Sequence, residues 1–365
     1  MALYRIAEVL LHSQIELPSF TCFACDPCEL PVQVNLERSC EIPAEGEEIT
    51  SSSIVSRRIP EGWFYHSTAS PASGLIVSKD YRQLRLIGED IVKKTASAQE
   101  ELYVRIALEC LMVHLGYVSL HASAINLDGK GIAFTGPSGT GKSTRARAWM
   151  EAFSADFVSG DRPLVRSDGK VLSGVPWDGK EKCFRNISLP LGGIFEIRRS
   201  ATSYVRKLDR SQARQMLLRQ SFLPMWDTDT AVLQMINISR LASSAEFFRM
   251  FSGPSPEDAK KIKEIIEKEE YLKEEPDMKA KSGFVLRNIA GEYMLMPVGE
   301  NISNYKGAVL LNKVSALIWE KLQDPVSRDD LLTAVLDEFD VDESTAANDL
   351  DDILKKFDEL GLTEK

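Results

Sequence analysis

The chain has 365 residues, of which 44% are hydrophobic and 27% are charged, a balance typical of globular proteins. The net charge of −10, without any basic stripe, excludes a general nucleic-acid binder. No window reaches the roughly 18 consecutive apolar residues that a membrane span needs, and the N-terminus lacks a basic-then-apolar signal pattern. We therefore expect a cytoplasmic protein of two or three domains that binds neither nucleic acid nor membrane.

Residues 1–95 are predicted to form a β-rich N-terminal domain. Short apolar or alternating runs, separated by Pro, Gly, Ser and acidic turns, predict strands there. The predicted strands are Tyr4–Leu11, Leu30–Leu36, Ile54–Ile59 and Gly62–His66. We find no catalytic constellation among them and expect a scaffold or specificity module.

Four cysteines in this region raise the question of a metal. Cys22, Cys25 and Cys28 follow the spacing C-x-x-C-x-x-C, and Cys40 lies beyond them. Such spacing can bring thiolates together around zinc or an iron–sulfur cluster. Because Pro27 precedes Cys28 and no histidine lies close by, we favour ordinary reduced cysteines.

The segment GPSGTGKST, residues 136–144, fits the phosphate-binding pattern G-x-x-x-x-G-K-[ST]. An apolar strand is predicted at 132–135 and an amphipathic helix at Lys142–Phe153. Free N–H groups and the dipole of a helix N-terminus favour a phosphate. In this pattern Lys142 reaches the β- and γ-phosphates and the Ser143 hydroxyl ligates Mg²⁺. The predicted nucleotide-binding residues are Gly136, Pro137, Ser138, Gly139, Thr140, Gly141, Lys142, Ser143 and Thr144.

The segment around this loop is predicted to be an α/β domain, residues 96–274. The predicted elements are a helix at Ala96–Leu115, one strand at Val118–Leu127, a hairpin turn at Asp128-Gly129, strands at Asp156–Val158, Pro163–Arg166, Val171–Val175 and Gly193–Ile197, and helices at Asp209–Phe222, Asp227–Leu241 and Pro256–Glu274. Asp161 follows the strand that comes after the loop helix. A carboxylate in that place suits a nucleotide-hydrolysing or kinase site.

The segment from His121 to about Ile197 resembles the catalytic domain of HPr serine kinase/phosphorylases and their kinase-like relatives. In that family a strand with a histidine precedes the phosphate loop, and a strand ending in Asp-Asp-Arg follows its helix. Here His121 precedes the loop, and Gly160-Asp161-Arg162 stands in the Asp-Asp-Arg place. The resemblance implies that Asp161 takes the proton of an acceptor serine, that His121 lies at the phosphoryl site, and that Ser143 holds Mg²⁺.

This resemblance has two departures. Gly160 replaces the first aspartate of the pair, and the family's Glu-x-Arg-Gly-Leu-Gly segment is only faintly echoed at residues 191–193. The glutamate that completes the metal site has no clear match, and Glu181 is our substitute for it. From the residues alone, Asp161 also suits a structural turn, and His121 suits a buried structural histidine.

After a charged linker at 275–282, residues 283–365 are predicted to form a winged-helix-like domain. Its predicted elements are strands at Phe284–Asn288, Glu292–Pro297 and Gly307–Leu311, and helices at Asn312–Leu322, Ser327–Glu338 and Glu343–Leu360. The fold class is therefore mixed α/β.

The runs FVLR from residue 284, GEYMLMPVGE from 291 and LLNKVSALIW from 310 resemble the PqqD-like family of peptide-recognition elements in ribosomally made, modified peptide pathways. The resemblance implies a leader peptide bound as an added strand beside the third strand, in a groove walled by the last helix. The implied peptide-binding residues are Gly307, Val309, Leu310, Leu350, Ile353, Leu354 and Phe357. The alternative is a generic interaction or oligomerisation module.

Together the two resemblances predict an ATP-dependent kinase that phosphorylates a Ser or Thr of a precursor peptide, with leader and core segments as its substrate. ATP and Mg²⁺ are the expected cofactors. Other peptide-modifying enzymes are candidate partners, and the chain is a candidate homo-oligomer. One alternative is an HPr-type carrier-protein kinase/phosphorylase. Another is a nucleotide-gated peptide chaperone that transfers no phosphate.

Overall fold

The computed structural model describes residues 1–41, 43–51, 54–88, 92–177, 185–200, 202–272, 278–289, 291–299, 301, 305 and 307–364. The chain divides into two compact units, one of Met1–Ile197 with Ser203–Tyr271, the other of Arg198–Thr202 with Leu272–Lys365. Both combine helices with sheets, which confirms the mixed α/β class. Among the described helices, none is long and apolar enough to span a bilayer.

The first unit contains two large sheets and five α-helices among its described residues. Its strands are β1 (Ala2–Ile6), β2 (Val9–Ser13), β3 (Val32–Ser39), β4 (Glu47–Ser51), β5 (Ile54–Ile59), β6 (Gly62–Ser67), β7 (Ser70–Ser78), β8 (Gln83–Ile87), β9 (Tyr117–Ser119), β10 (Ala122–Leu127), β11 (Lys130–Thr135), β12 (Asp156–Ser159), β13 (Leu164–Arg166), β14 (Val171–Ser173), β15 (Ser188–Arg199), β16 (Tyr204–Lys207) and β17 (Phe247–Ser252). Its helices are α1 (Ala98–His114), α2 (Lys142–Phe153), α3 (Arg210–Gln220), α4 (Thr228–Ser244) and α5 (Pro256–Glu267), with a 3-10 helix at Pro18–Phe23.

The N-terminal sheet has eight strands in the order β1-β2-β3-β8-β7-β6-β5-β4. The single strand predicted at Tyr4–Leu11 is wrong, because the chain turns at Ala7 and Glu8 and pairs Ile6 with Val9. Ala7 has a φ of +51°, the left-handed conformation that tight hairpin turns require. Alternation of apolar residues continues through such a turn, which explains why the pattern predicted one strand.

Helix α1 packs onto this N-terminal sheet. Ser97 and Glu100 form a reciprocal capping box at its start, which satisfies two of the first backbone N–H groups. The buried residues Tyr103, Val104, Ala107, Leu108 and Leu111 belong to the same hydrophobic cluster as the sheet. The sheet and α1 therefore share one core, and the domain boundary at residue 95 stays a prediction.

The second sheet runs β12-β10-β11-β15-β14-β13-β9, and β17 pairs with both β15 and β16. The single strand predicted at Val118–Leu127 is wrong, because Leu120 and His121 separate β9 from β10. The Leu120 N–H donates to the Pro163 carbonyl (3.1 Å), and the His121 N–H donates to the Gln220 carbonyl (2.7 Å). His121 thus lies where the chain passes from one part of the sheet to another.

Strands β10 and β11 form the hairpin predicted at Asp128-Gly129. Asp128 and Gly129 have φ angles of +51° and +79°, as a two-residue hairpin turn requires. Strand β11 pairs in parallel with β15, and Phe134 lies opposite Phe195. The loop that follows β11 therefore starts in the interior of the sheet.

The second unit is smaller. Among its described residues are β18 (Lys279–Ala280), β19 (Phe284–Ile289), β20 (Glu292–Pro297), β21 (Val309–Leu311), β22 (Thr363–Glu364), α6 (Lys313–Lys321), α7 (Arg328–Glu338) and α8 (Glu343–Glu359). The three-stranded sheet has the order β19-β20-β21, and β18 pairs with β22. Residues 279–280 of the predicted linker thus form a strand, whereas 275–277 lie outside the described residues. Asn312, Ser327 and Asp342 cap the three helices with their side chains.

Candidate functional site

The loop between β11 and α2 has the backbone geometry of an anion site. Gly136, Gly139 and Gly141 have φ angles of +148°, +84° and +93°, which glycine adopts without steric cost. Gly141 is the N-cap of α2 and supplies no side-chain acceptor to the first turn. Backbone N–H groups at such a helix start, together with the helix dipole, can hold a phosphate-sized anion.

Lys142 folds back over this loop. Its Nζ donates hydrogen bonds to the carbonyl oxygens of Gly136 (3.0 Å) and Pro137 (3.1 Å). Burial lowers the pKa of the Lys142 ammonium, and the negative charge of Asp161 acts in the opposite direction. The loop carbonyls therefore bind the Lys142 ammonium directly, and the Asp161 carboxylate acts on it only through its charge.

The Ser143 hydroxyl lies 3.3 Å from the Ser123 hydroxyl, and Ser123 Oγ donates to the Gly160 carbonyl over 3.5 Å. Ser123 links the start of α2 to the loop after β12. Motif reasoning missed it because serine at that place in β10 belongs to no phosphate-binding pattern. The only feature of the sequence that could have pointed to Ser123 is its position two residues after His121.

A magnesium ion prefers hard oxygen ligands, and the hydroxyl of Ser143 and the carboxylate of Asp161 are donors of that kind. Within the described residues no group of three or more His, Cys, Asp or Glu side chains is arranged for a metal. Glu181, predicted as a metal ligand, lies outside the described residues. Mg²⁺ binding therefore stays a prediction based on Ser143 and on the phosphates of a bound nucleotide.

The structure brings His121, Lys142 and Asp161 into one electrostatic neighbourhood. Burial is the main cause that lowers the pKa of the His121 imidazole, followed by the charge of Lys142. Asp161 opposes this shift, whereas Arg162 and Arg105 add to it. His121 is consequently neutral near pH 7 and suited to hydrogen bonding at a phosphate rather than to carrying a charge. The catalytic roles of the three residues stay predictions.

Asp161 lies in the loop after β12, and its side chain is 21% exposed. Its carbonyl accepts a hydrogen bond of 2.9 Å from Ser159 Oγ, and Arg162 beside it has a φ of +51°. Arg105 Nη2 of α1 lies 3.4 Å from Asp161 Oδ2. Arg105 was missed by sequence reasoning, because 56 residues separate the two.

The four N-terminal cysteines are free thiols. Cys22, Cys28 and Cys40 are exposed and Cys25 is partly buried. Burial raises the pKa of the Cys25 thiol, and neighbouring Cys28 adds to the shift. A raised pKa disfavours the thiolate that binds metals.

In the second unit, β21 pairs with β20 along one edge, and no strand among the described residues pairs with its other edge. Leu310 on β21 is 64% exposed, Val309 is partly buried and Gly307 is exposed. A short open edge of this kind offers backbone groups to an added strand.

Three of the four predicted peptide contacts on α8 are buried in this structure, and their contact with a peptide stays a prediction. Leu350, Ile353 and Phe357 are 0%, 9% and 3% exposed and belong to the hydrophobic core around Trp319. Leu354 is only partly buried. Core packing is therefore the role of the first three in this structure. The apolar stripe predicted the helix correctly but did not reveal which partner the stripe faces.

A comparison with known protein families matches part of the second unit to the family described as Coenzyme PQQ synthesis protein D (PqqD). Residues 292–362 match a PqqD domain. This PqqD-matching region contains β20, β21 and all three helices of the second unit. A search of the curated proteins found no match.

Two solved structures are similar to part of the chain. One is titled TbiB1 in complex with the TbiA(beta) leader peptide, with 24% identity, a TM-score of 0.21, and coverage of 24% of this chain and 94% of that chain. The other is titled lasso peptide synthetase B1 complexed with the leader peptide, with 18% identity, a TM-score of 0.21, and coverage of 24% and 99%.

Proposed function

We propose that this protein is an ATP-dependent kinase that phosphorylates a Ser or Thr hydroxyl of a ribosomally made precursor peptide, whose leader binds the PqqD-matching region. The observation that carries the proposal is the convergence of Lys142, His121 and Asp161 beside a glycine-rich helix N-terminus. Phosphoryl transfer needs positioning and charge neutralisation more than covalent chemistry, and this set supplies both.

In the proposed nucleotide complex, the glycine loop and the first turn of α2 hold the phosphates through backbone N–H groups. The Lys142 ammonium moves from the loop carbonyls to the β- and γ-phosphates. Ser143 is the proposed Mg²⁺ ligand, and the ion would supply further neutralisation of phosphate charge.

In the proposed transfer step, the hydroxyl oxygen of the acceptor attacks the γ-phosphorus and ADP leaves. The proton of the hydroxyl goes to the Asp161 carboxylate, which acts as general base. Neutral His121 can hydrogen bond to the transferred group without attracting the Asp161 carboxylate into an ion pair. Phosphopeptide and ADP are the products.

The proposed substrate class rests on the second unit. The match to PqqD, the open edge of β21 and the exposed Leu310 support recognition of an extended peptide by strand addition. Backbone pairing supplies affinity in this mode, and apolar side chains fix the register of the peptide. An unstructured peptide can pair along its whole length with such an edge, which favours it over a folded carrier protein as the acceptor.

The deciding experiment measures phosphate incorporation from γ-labelled ATP into a candidate precursor peptide. Asp161→Asn is expected to lower the rate of incorporation on the order of 10²–10⁴-fold and to leave ATP affinity near that of the wild type. Asp156→Asn is the matched control, because Asp156 lies at the other end of β12 and its exposed ion pair with Arg185 (3.0 Å) contributes little. Full activity of Asp161→Asn would show that the base is misassigned.

The same assay separates the alternatives. A nucleotide-gated chaperone binds ATP and peptide, but label never appears on any acceptor. A carrier-protein kinase labels a folded protein and leaves unstructured peptides unlabelled.

A further inference from the structure

Two charged residues of α1 extend the site beyond the phosphate-binding motif. Arg105 and Glu109 lie one turn apart, and Arg105 Nε is 3.4 Å from Glu109 Oε2. The other end of the guanidinium, Nη2, lies 3.4 Å from Asp161 Oδ2. Arg105 therefore bridges a buried carboxylate of the helix and the carboxylate proposed as general base.

Glu109 is 3% exposed, so its charge needs partners to be tolerated. Ser119 Oγ on β9 donates a 2.6 Å hydrogen bond to Glu109 Oε1, and Arg162 Nη1 lies 4.0 Å from the same oxygen. A buried ion pair that also receives a hydrogen bond keeps its geometry, because breaking it leaves an uncompensated charge. Glu109 is thus a fixed anchor for Arg105.

A third contact restricts Arg105 from another direction. Its guanidinium carbon lies 5.9 Å from the ring centroid of Trp177, which is 3% exposed. A guanidinium over an indole face at this distance gains a cation–π interaction. Together with Glu109, the ring limits the rotamers that Arg105 adopts.

Arg105 contacts one oxygen of Asp161 and leaves the other available. In the described part of the chain no hydrogen bond reaches Asp161 Oδ1, while Oδ2 faces the guanidinium. A general base needs one oxygen directed at the proton it accepts. The contact to Oδ2 orients the carboxylate and leaves Oδ1 free to accept the proton.

We propose that Arg105, anchored by Glu109 and Ser119, is a positioning residue that orients the Asp161 carboxylate for proton transfer. The proton transfer itself rests on the proposed function, whereas the orientation does not. Because α1 shares its core with the N-terminal sheet, the β-rich region also gains a role, since it fixes the helix that carries Arg105 and Glu109.

A double-mutant cycle tests the proposal on the full-length protein. Arg105→Gln is expected to lower kcat on the order of 10²-fold without changing the affinity for ATP. In an Asp161→Asn background the same change is expected to have no further effect, because residues that act through one another are not additive. Arg105→Lys should restore part of kcat, and Arg214→Gln, on the exposed face of α3, is the control.

Two outcomes would overturn the proposal. If the losses from Arg105→Gln and Asp161→Asn multiply, Arg105 acts independently of Asp161. If Arg105→Gln weakens ATP binding, Arg105 contacts the nucleotide and is not a positioning residue. Thermal unfolding of each variant identifies loss of fold, and partial rescue by lysine argues against a purely structural effect.

NMR separates this proposal from the proposed function. Arg105→Gln is expected to shift the carboxyl ¹³C resonance of Asp161 and to raise the pKa of His121, which Lys142, Asp161, Arg162 and Arg105 surround. Neither measurement requires phosphoryl transfer. A wild-type protein that labels no acceptor refutes the kinase, while unchanged resonances in Arg105→Gln refute the positioning role.

Discussion

The hydroxyl of Tyr81 donates a 2.5 Å hydrogen bond to Oδ2 of Asp227, across 146 residues of sequence. Thr230 Oγ1 donates to the same oxygen over 2.7 Å, and His114 Nε2 lies 2.9 Å from Thr230 Oγ1. Asp227 is also the N-cap of α4. One carboxylate therefore joins the turn after β7, the end of α1 and the start of α4.

The first prediction concerns this carboxylate. Asp227→Ala is expected to lower the free energy of unfolding by about 2–4 kcal/mol, because the buried Tyr81 hydroxyl loses its acceptor and α4 loses its cap. Asp209→Ala is the control, since Asp209 caps α3 at an exposed position and its loss is expected to cost about 1 kcal/mol. Urea denaturation measures both, and equal losses would contradict the role of the buried network.

The second prediction concerns pH. Burial and Lys142 lower the pKa of His121 below its ordinary value of about 6.5. Between the lowered pKa and about 6.5, the unfolded chain binds more protons than the folded one, so the free energy of unfolding rises with pH. Below the lowered pKa this penalty is complete, and above about 6.5 it is absent.

His121→Gln is expected to remove this pH dependence. Urea denaturation from about pH 5 to about pH 8 should show the wild type gaining stability relative to the variant as pH rises. A constant difference between the two proteins across this range would show that the imidazole is not disfavoured in its charged form.

The third prediction concerns Gly141. A Cβ at this position would have Thr144 Cβ as its nearest neighbour, at 3.8 Å, so space is available. The φ of +93° nevertheless disfavours any L side chain, and Gly141→Ala is expected to cost about 1–2 kcal/mol and to weaken ATP binding. Gly88→Ala is the control, because Gly88 has open space and no positive φ. Calorimetry with ATP and thermal unfolding measure the two effects.

The fourth prediction concerns peptide binding. Leu310→Glu on β21 is expected to raise the Kd for a leader peptide at least about tenfold, because burying a leucine contributes about 1.5–3 kcal/mol. Ile289→Glu is the matched control, since Ile289 is 54% exposed and lies on β19, at the opposite edge of the same sheet. Similar losses in both variants, measured by fluorescence anisotropy, would place the peptide elsewhere.

Local pattern predicted the elements whose signals are local. The helix Lys142–Phe153 and the hairpin at Asp128-Gly129 agree with the structure, because glycine positions and apolar spacing define both. The break at His121 depends on the carbonyls of Pro163 and Gln220, which are distant in sequence. No local pattern contains that information.

In the candidate site, too, the sequence pointed to the residues that have a local signal and not to those that tertiary packing brings in. The phosphate-binding motif pointed to Lys142 and Ser143, the position after a strand pointed to Asp161, and the family resemblance added His121 and the proposed role of Asp161. Arg105 and Glu109 have the spacing of an ordinary helical ion pair, and only the packing of α1 brings them to Asp161. Conversely, the periodicity of Leu350 and Phe357 is common to a binding face and a core face.

The two hydrogen bonds from Lys142 to its own loop have a consequence for ligand choice. In the proposed nucleotide complex, the phosphates would compete with the carbonyls of Gly136 and Pro137 for the Lys142 ammonium. Two carbonyl dipoles are replaced favourably by two charged phosphates, and less so by a single one. If the loop binds nucleotides as proposed, it would therefore favour ligands with more phosphates, with adenosine monophosphate the weakest competitor and ATP the strongest.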